Sequence, residues 1–394
     1  MDDDDDDNSA LDIAEQTERP PDTALHQQRV QAWHPILDPV WVIVALLYLG
    51  VILVPTGYKM DSIQKGVEHL NQTYDAWSEN YVGCTDGDES CCKIGDAYNA
   101  GKECVIEFTT TRELEPPILI HYELTNFHQN HRSYYESRDP YQLLGRRTED
   151  QDQLSFTKCQ PLNKLGDITL NPCGLTANTL FNDIFELEGG TDVEGKDLAM
   201  LETGIAWQSD LQYLFQQPND FNKSLCTTCT AFDCENCLDC CEEGDSCDTP
   251  FQEKDGSCWR YYYPDDDTTQ YLYETYPDII SPLEGVENEH FIVWMRIATQ
   301  PTFRKLYGWI DQTIPAGETL RFRVKNNYAV TRFKGSKSLV VSTTSIFGGR
   351  NPFLAPVFIY VGYFCLAAGV FFGLKQKFRP RKLADTSYLH YKED

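Results

Sequence analysis

The residues best equipped for chemistry in this sequence are its cysteines. Fourteen of the fifteen fall between Cys84 and Cys258, and Cys365 stands apart in an apolar stretch. A thiol can ligate a metal, act as a nucleophile or pair into a disulfide, and spacing and compartment decide among these. The run Cys226-x2-Cys229-x4-Cys234-x2-Cys237-x2-Cys240, followed by Cys241, Cys247 and Cys258, has the spacing of zinc ligands. Together with Cys84, Cys91, Cys92, Cys104, Cys159 and Cys173 it forms an even set, which reads as a disulfide framework in an oxidising compartment.

Other reactive residues point to less. His128 and His131 could share a metal, but no third ligand lies nearby in the chain, so a hydrogen-bonded structural segment is the better reading. The acidic groups Asp86/Asp88 and Asp265 to Asp267 lack the regular ligand spacing of a calcium loop and read as solvated. The sequence shows no G-x-S-x-G elbow, phosphate-binding loop, H-E-x-x-H or dinucleotide fingerprint. No catalytic residue, metal or cofactor is therefore expected. Lys and Arg number 33 against 61 Asp and Glu, a formal charge of −28, and this excess of acid argues against nucleic acid as a partner. Asp2 to Asp7 repel one another and read as a solvated tail.

Two apolar segments set the compartment. The first runs from Ile36 to Gly57; Asp38 and Pro39 suit a helix cap and first turn, and a start there gives about 19 residues or roughly 28 Å, enough to cross a bilayer. A cleaved signal peptide is disfavoured, because the preceding residues are mostly polar and lack a basic start region. The second segment, Phe353 to Leu374, has no charged residue and spans roughly 33 Å. Lys375, Lys377, Arg379, Arg381 and Lys382 follow it, which places that end in the cytosol. Both termini (1–35 and 375–394) are then cytosolic tails, the spans cover 36–57 and 353–374, and 58–352 form a lumenal or extracellular domain. The cysteines fall in that outer segment, as do the sequons at Asn71 and Asn222, so disulfides are the expected state. The expected location is the endoplasmic reticulum, Golgi or endosomes, or the plasma membrane.

The outer domain alternates with period two in several places. Leu320, Phe322 and Val324 share one face of a strand and Arg321, Arg323 and Lys325 the other. Residues 104–110, 118–124 and 338–342 also predict strands, as does the alternation Phe291, Val293, Met295, Ile297. Helical periodicity is confined to Met60 to Tyr74. The expected fold is two transmembrane helices flanking a large, mainly β, disulfide-rich ectodomain built as an antiparallel sandwich. Residues 226–258, with eight cysteines and few aliphatics, form an insertion that only covalent staples can hold.

A series of longer motifs adds a resemblance. Pro21-Asp-Thr-Ala-Leu-His-Gln-Gln-Arg-Val-Gln-Ala-Trp-His-Pro-Ile-Leu37 precedes the first span. Tyr122-Glu-Leu-Thr-Asn-Phe-His-Gln-Asn-His-Arg132, Ser137-Arg-Asp139, Pro172-Cys-Gly-Leu-Thr-Ala-Asn-Thr-Leu-Phe-Asn-Asp183, Gly204-Ile-Ala-Trp207 and Phe291-Ile-Val-Trp-Met-Arg296 follow outside. Pro301-Thr-Phe-Arg-Lys-Leu-Tyr307, Asn326-Asn-Tyr328 and Ser342-Thr-Thr-Ser-Ile-Phe-Gly-Gly-Arg-Asn-Pro-Phe-Leu354 complete the series. In order and topology these resemble the cell division control protein 50 family, the beta subunits of type IV P-type ATPases, which flip phospholipids. The resemblance implies a non-catalytic subunit that escorts the ATPase out of the endoplasmic reticulum and stays bound to it, while the pump supplies the phosphorylated aspartate, the ATP site and the lipid path. It also implies a Cys159–Cys173 bridge. The cysteine-rich insertion and the adjacent pair Cys91-Cys92 depart from the family pattern and leave the remaining pairing open.

With membrane lipids and the ATPase as partners, contact is expected in three zones. Gln28, Arg29, Trp33 and Pro35 suit the cytosolic interface. Gly362, Gly369 and Gly373 let a partner helix approach the second span. The outer sandwich would rest on the pump's short loops. A trimeric two-span ligand-gated channel shares this layout, but it would need a polar pore stripe that the spans do not offer.

Overall fold

The computed structural model describes residues 22–30, 39–77, 92–97, 100–147, 157–225, 250–253 and 257–380. The chain divides into two compact units, one of Met1–Asp61 with Pro352–Asp394 and one of Ser62–Asn351.

The first unit is built on two long helices, α1 (Pro39–Lys65) and, at the other end of the chain, Leu354–Phe378. At 1.5 Å per residue their 27 and 25 residues reach about 40 and 37 Å, more than the roughly 30 Å of a bilayer's hydrocarbon. Pro55 removes one backbone donor inside α1, and the neighbouring Thr56 Oγ1 donates to the Ile52 carbonyl at 2.7 Å.

The second unit is β-rich. Its strands are β1 (His69–Ala76), β2 (Lys102–Thr109), β3 (Ile118–Leu124), β4 (Lys164–Leu165), β5 (Ile168–Asn171), β6 (Ile184–Gly189), β7 (Asn222–Leu225), β8 (Pro250–Gln252), β9 (Cys258–Tyr262), β10 (Thr269–Tyr271), β11 (Phe303–Ile310), β12 (Thr319–Asn326) and β13 (Ser336–Thr343). A four-stranded antiparallel sheet runs β1-β13-β3-β11, and a three-stranded one runs β2-β12-β6. Two small sheets, β10-β5-β4 and β7-β9-β8, complete the unit; β10 and β5 pair in parallel.

Alternation explains the larger sheets. Ile118, Ile120, Tyr122 and Leu124 are buried while their neighbours are half-exposed, and Leu320, Phe322 and Val324 are buried beneath outward-facing cations. The inner faces meet through aromatic rings: Tyr74 of β1 lies 5.9 Å edge-on to Phe185 of β6, and Phe185 lies 4.8 Å from Tyr307 of β11.

Two expectations are corrected. Phe291 to Met295 is not a strand but part of α2 (Glu289–Met295), because Asn288 caps it by accepting from the backbone N–H groups of His290 and Phe291. The cap brings Phe291, Ile292, Trp294 and Met295 into the core on a helical face. The periodicity of Met60 to Tyr74 is helical only to Lys65, and β1 begins at His69. The C-terminal helix Leu354–Phe378 is α3.

A polar knot joins the two sheets in the middle of this apolar core. Lys337 of β13 is fully buried, and its Nζ lies 2.7 Å from Asp183 Oδ2 and 3.7 Å from Asp75 Oδ2. Its other two protons go to the side-chain oxygen of Asn326 and the carbonyl of Tyr328, so all three ammonium donors are used. Asp183 also accepts from the Tyr74 hydroxyl (2.6 Å) and from the backbone N–H groups of Asn327 and Tyr328 (2.7 Å each). Asn326 Nδ2 donates to Asp75 and to the carbonyl of Cys92, whose sulfur is joined to Cys104 of β2.

The opposite face of the four-stranded sheet carries His121 of β3 and His69 of β1. Burial pushes His121 down to about 4, with Arg304 and His69 adding to the effect, and its Nδ1 has no hydrogen-bond partner among the described residues. His69 is also lowered, first by burial and then by Arg304.

Two outcomes are expected. Lys337→Met leaves Asp183 and Asp75 buried without their cation and should cost about 3–5 kcal/mol, read as a lower unfolding midpoint of the detergent-purified chain. Pairing it with Asp183→Asn should restore part of the loss. Acid should also weaken the fold through His121. Its folded pKa lies below the ordinary 6.5, so between 6.5 and 4 the unfolded chain takes up protons that the folded chain refuses. Stability from this ring is therefore lost as pH falls through that window, by up to about 1.4 kcal/mol per pH unit. His121→Gln should shrink the difference in melting between pH 7 and pH 5; an unchanged difference would clear the ring of the effect.

Candidate partner-binding surfaces

The membrane helices pair through glycine. A Cβ on Gly362 would stand 2.7 Å from Val54 Cγ2 and 3.0 Å from the Val54 nitrogen, and one on Gly369 would stand 2.8 Å from Leu47 Cδ2. From the other side, a Cβ on Gly50 would meet Leu366 Cγ at 2.6 Å, and one on Gly57 would meet Ile359 Cγ1 at 2.6 Å. Only glycine permits this approach, and close van der Waals packing is what holds helices together in lipid. Tyr58 and Tyr363 add a hydroxyl contact at 3.2 Å. Thus Gly362 and Gly369 close on the chain's own first span, and Gly373 has Ile43 as its nearest neighbour at 3.9 Å. The surfaces left open are the outer ones, with Trp41, Val44, Tyr48 and Val51 on α1 and Tyr360, Phe364 and Phe371 on α3.

Of the group expected at the cytosolic interface, Gln28 and Arg29 lie in a turn. Thr23 Oγ1 is 2.6 Å from His26 Nδ1, the Arg29 N–H donates to the Ala24 carbonyl at 2.7 Å, and Gln28 takes a left-handed conformation. The Arg29 guanidinium is 3.9 Å from Asp22 with both side chains exposed, a pairing too weak to hold the cation from another anion. Trp33 and Pro35 lie outside the described residues.

In the β unit Cys159 is joined to Cys173, and Cys258 is also disulfide-bonded. Cys84, Cys91, Cys226, Cys229, Cys234, Cys237, Cys240, Cys241 and Cys247 lie outside the described residues. Asn71 and Asn222 are both exposed, on β1 and β7. His128 and His131 are exposed, and among the described residues no three His, Cys, Asp or Glu side chains gather as a metal site. Asp265 instead receives two hydrogen bonds from Arg147, at 2.6 and 3.1 Å.

One cavity of about 330 Å³ opens beside α2 and β11, lined by Trp207, Asp210, Ile292, Arg296, Lys305 and Leu306 among others. Arg296 makes two hydrogen bonds to Asp210, at 2.6 and 3.0 Å, and lies 4.8 Å from the Trp207 ring. These bonds hold the Asp210 carboxyl below its usual range. Lys305 donates to the carbonyls of Val293, Trp294 and Arg296 at the end of α2, although burial pushes its amine down to about 7. Its charges thus satisfied, the cavity offers an indole and aliphatic walls rather than a reactive group. Sequence reasoning missed Lys305, Arg296 with Asp210, and Lys337. The readable signal was a lysine on the core-facing parity of an otherwise apolar strand, as with Lys337, Leu339 and Val341.

Residues of several of the quoted motifs serve as scaffold. Phe127 packs against Tyr134, Trp294, Phe303, Tyr328 and Phe333. Ser137 Oγ donates to the Cys159 carbonyl, and Trp294 Nε1 donates to the Thr176 carbonyl at 2.8 Å.

Comparison with known proteins gives these elements a context. The model of the LEM3 (ligand-effect modulator 3) family / CDC50 family matches residues 62–382. ALA-interacting subunit 3 of Arabidopsis thaliana is 32% identical over 379 residues, covering 95% of this chain and 91% of that protein. Cell cycle control protein 50A of Mus musculus is 31% identical over 367 residues, covering 91% and 89%. The phospholipid-transporting ATPase accessory subunit CRF1 of Saccharomyces cerevisiae is 27% identical over 401 residues, covering 96% and 90%. With its two long apolar helices the chain is an integral membrane protein. The family match covers far more than half of the sequence: the chain belongs to the LEM3/CDC50 family.

Proposed function

We propose that this chain is the accessory subunit of a phospholipid-transporting type IV P-type ATPase, needed for the pump's folding, its exit from the endoplasmic reticulum and its lipid-flipping activity, and that it has no catalytic centre of its own. The alignment with a yeast ATPase accessory subunit over 96% of the chain carries the reading. It favours this over the ion-channel alternative. Both termini face the cytosol, as Lys375, Lys377 and Arg379 at the end of α3 support, and the disulfides and sequons lie on the far side. The protein travels from the endoplasmic reticulum to the Golgi, endosomes or plasma membrane.

A non-catalytic partner acts on a pump only by binding some of its conformations better than others. The parts suit that task. Gly362, Gly369 and Gly373 shape the contact from behind, drawing α1 and α3 into one pair whose aromatic flanks meet the pump. Gln28, Arg29, Trp33 and Pro35 hold the cytosolic side. The knotted β unit is stiff enough to transmit a preference for one state.

Co-expressed with a type IV P-type ATPase, the chain should co-purify with it at about 1:1 in mild detergent, and alone it should show neither ATPase activity nor lipid transport. Replacing Arg29 and Trp33 together by Ala should cut the co-purified pump about tenfold, near 1.4 kcal/mol, with topology intact. Unchanged pull-down and lipid uptake would reduce the segment to a plain membrane anchor. Glycosidase should shift the band by the mass of two glycans, lost one at a time in Asn71→Gln and Asn222→Gln. A band that does not move, with both sites labelled from the cytosolic side, would reverse the orientation.

A further inference from the structure

Among the large apolar side chains of the described residues, Ile346 is the most exposed, at 93%. It sits with Phe347, also exposed, at the tip of the turn Ser345–Gly348. The turn is firmly built. The Ser345 N–H donates to the Gly348 carbonyl at 2.9 Å and the Gly348 N–H returns the bond to Ser345 at 2.8 Å. Ser345 Oγ donates to the Gly348 carbonyl and accepts from the Phe347 N–H. Gly348 supplies the left-handed conformation that closes it.

Two further observations say what this tip meets. The first is reach: eight residues join Ile346 to Leu354, the first residue of α3, so the two lie at most about 28 Å apart. The second is charge. In a chain of net charge −28, residues 319–384 contain no Asp or Glu, and exposed Arg350 and Phe353 stand between the turn and the helix. Apolar and aromatic tips with a nearby arginine suit the headgroup boundary of a bilayer, where the rings enter the acyl edge and the guanidinium meets phosphate. A turn that satisfies its own end groups loses little on leaving water.

We propose that the turn Ser345–Gly348 is a second membrane contact of the ectodomain, with Ile346 and Phe347 dipping into the interface of the leaflet from which α3 enters the bilayer. The proposal requires α3 to span the membrane and does not depend on the ATPase partnership. Burial of either side chain is favourable, so the tip holds the ectodomain to the lipid surface.

The test places a photoreactive benzoylphenylalanine at position 346 of the full chain. The protein is reconstituted without pump into vesicles of phosphatidylcholine and phosphatidylserine, illuminated, and analysed for adducts by mass spectrometry. Lipid adducts should exceed by about tenfold those of the same probe at exposed Val193, a preference equal to burying one such side chain. A probe at Phe347 should repeat the result, and melting like that of wild type shows that each variant has folded. Adduct yields no higher than at Val193 would overturn the proposal. So would a probe that reacts only when an ATPase is present and then with protein, which would make the tip a pump contact instead.

Discussion

The two large sheets of the ectodomain depend on one buried ammonium group. Lys337 lies where the sheets otherwise meet largely through rings and aliphatic chains, and its three protons are shared among Asp183, Asn326 and Tyr328. Such a group would be intolerable in an apolar core alone; here every donor is answered, and Asp183 is answered four times over. The residues come from positions 74 and 75, 183, 326 to 328 and 337, so the knot closes only when β1, β6, β12 and β13 are all in register. A slip of one residue in β13 would turn Lys337 outward and a serine inward, leaving two carboxylates stranded. The knot thus makes the register a condition of folding. The Cys92–Cys104 bridge is tied to it through the Cys92 carbonyl, so covalent and polar restraints act on the same point.

The repeating parts of this fold were legible in the sequence. The alternation in β3 and β12 placed their buried faces because a strand's period is fixed by the backbone. Phe291 to Ile297 alternate just as well, and yet Phe291 to Met295 lie in α2, because the deciding residue is Asn288, three positions before Phe291. A short apolar stretch satisfies both periods, and only its cap separates them. The knot was not legible for another reason. Asp183 and Lys337 are 154 residues apart, and although the parity of β13 marks Lys337 as core-facing, nothing local names the carboxylate that answers it. Nor did the glycines of the second span declare which helix they admit. Their spacing shows a groove, and the groove is filled by α1.

That filling changes what the membrane part offers. A pair of helices already packed along Gly50, Gly57, Gly362 and Gly369 presents one composite surface rather than two separate stripes. A partner in the membrane would meet aromatic flanks of both helices, and recognition there would rest on shape and ring contacts, since the hydrocarbon gives no hydrophobic gain on association. The ectodomain has the complementary character: its interior charges are answered within it, Lys305 by backbone carbonyls and Arg296 by Asp210, in a chain that is acidic as a whole.

The four-stranded sheet has two edges, and they are treated differently. At β11 the main chain closes the edge itself, where Leu201 and Trp309 exchange hydrogen bonds. At β1 the outermost strand carries exposed Asn71, Gln72 and Thr73. An oligosaccharide on Asn71 would fill the space that a strand from another molecule needs in order to add to the sheet. The sugar would then act as a guard against self-association while newly made chains crowd together, a solubility device written into the position of a single asparagine.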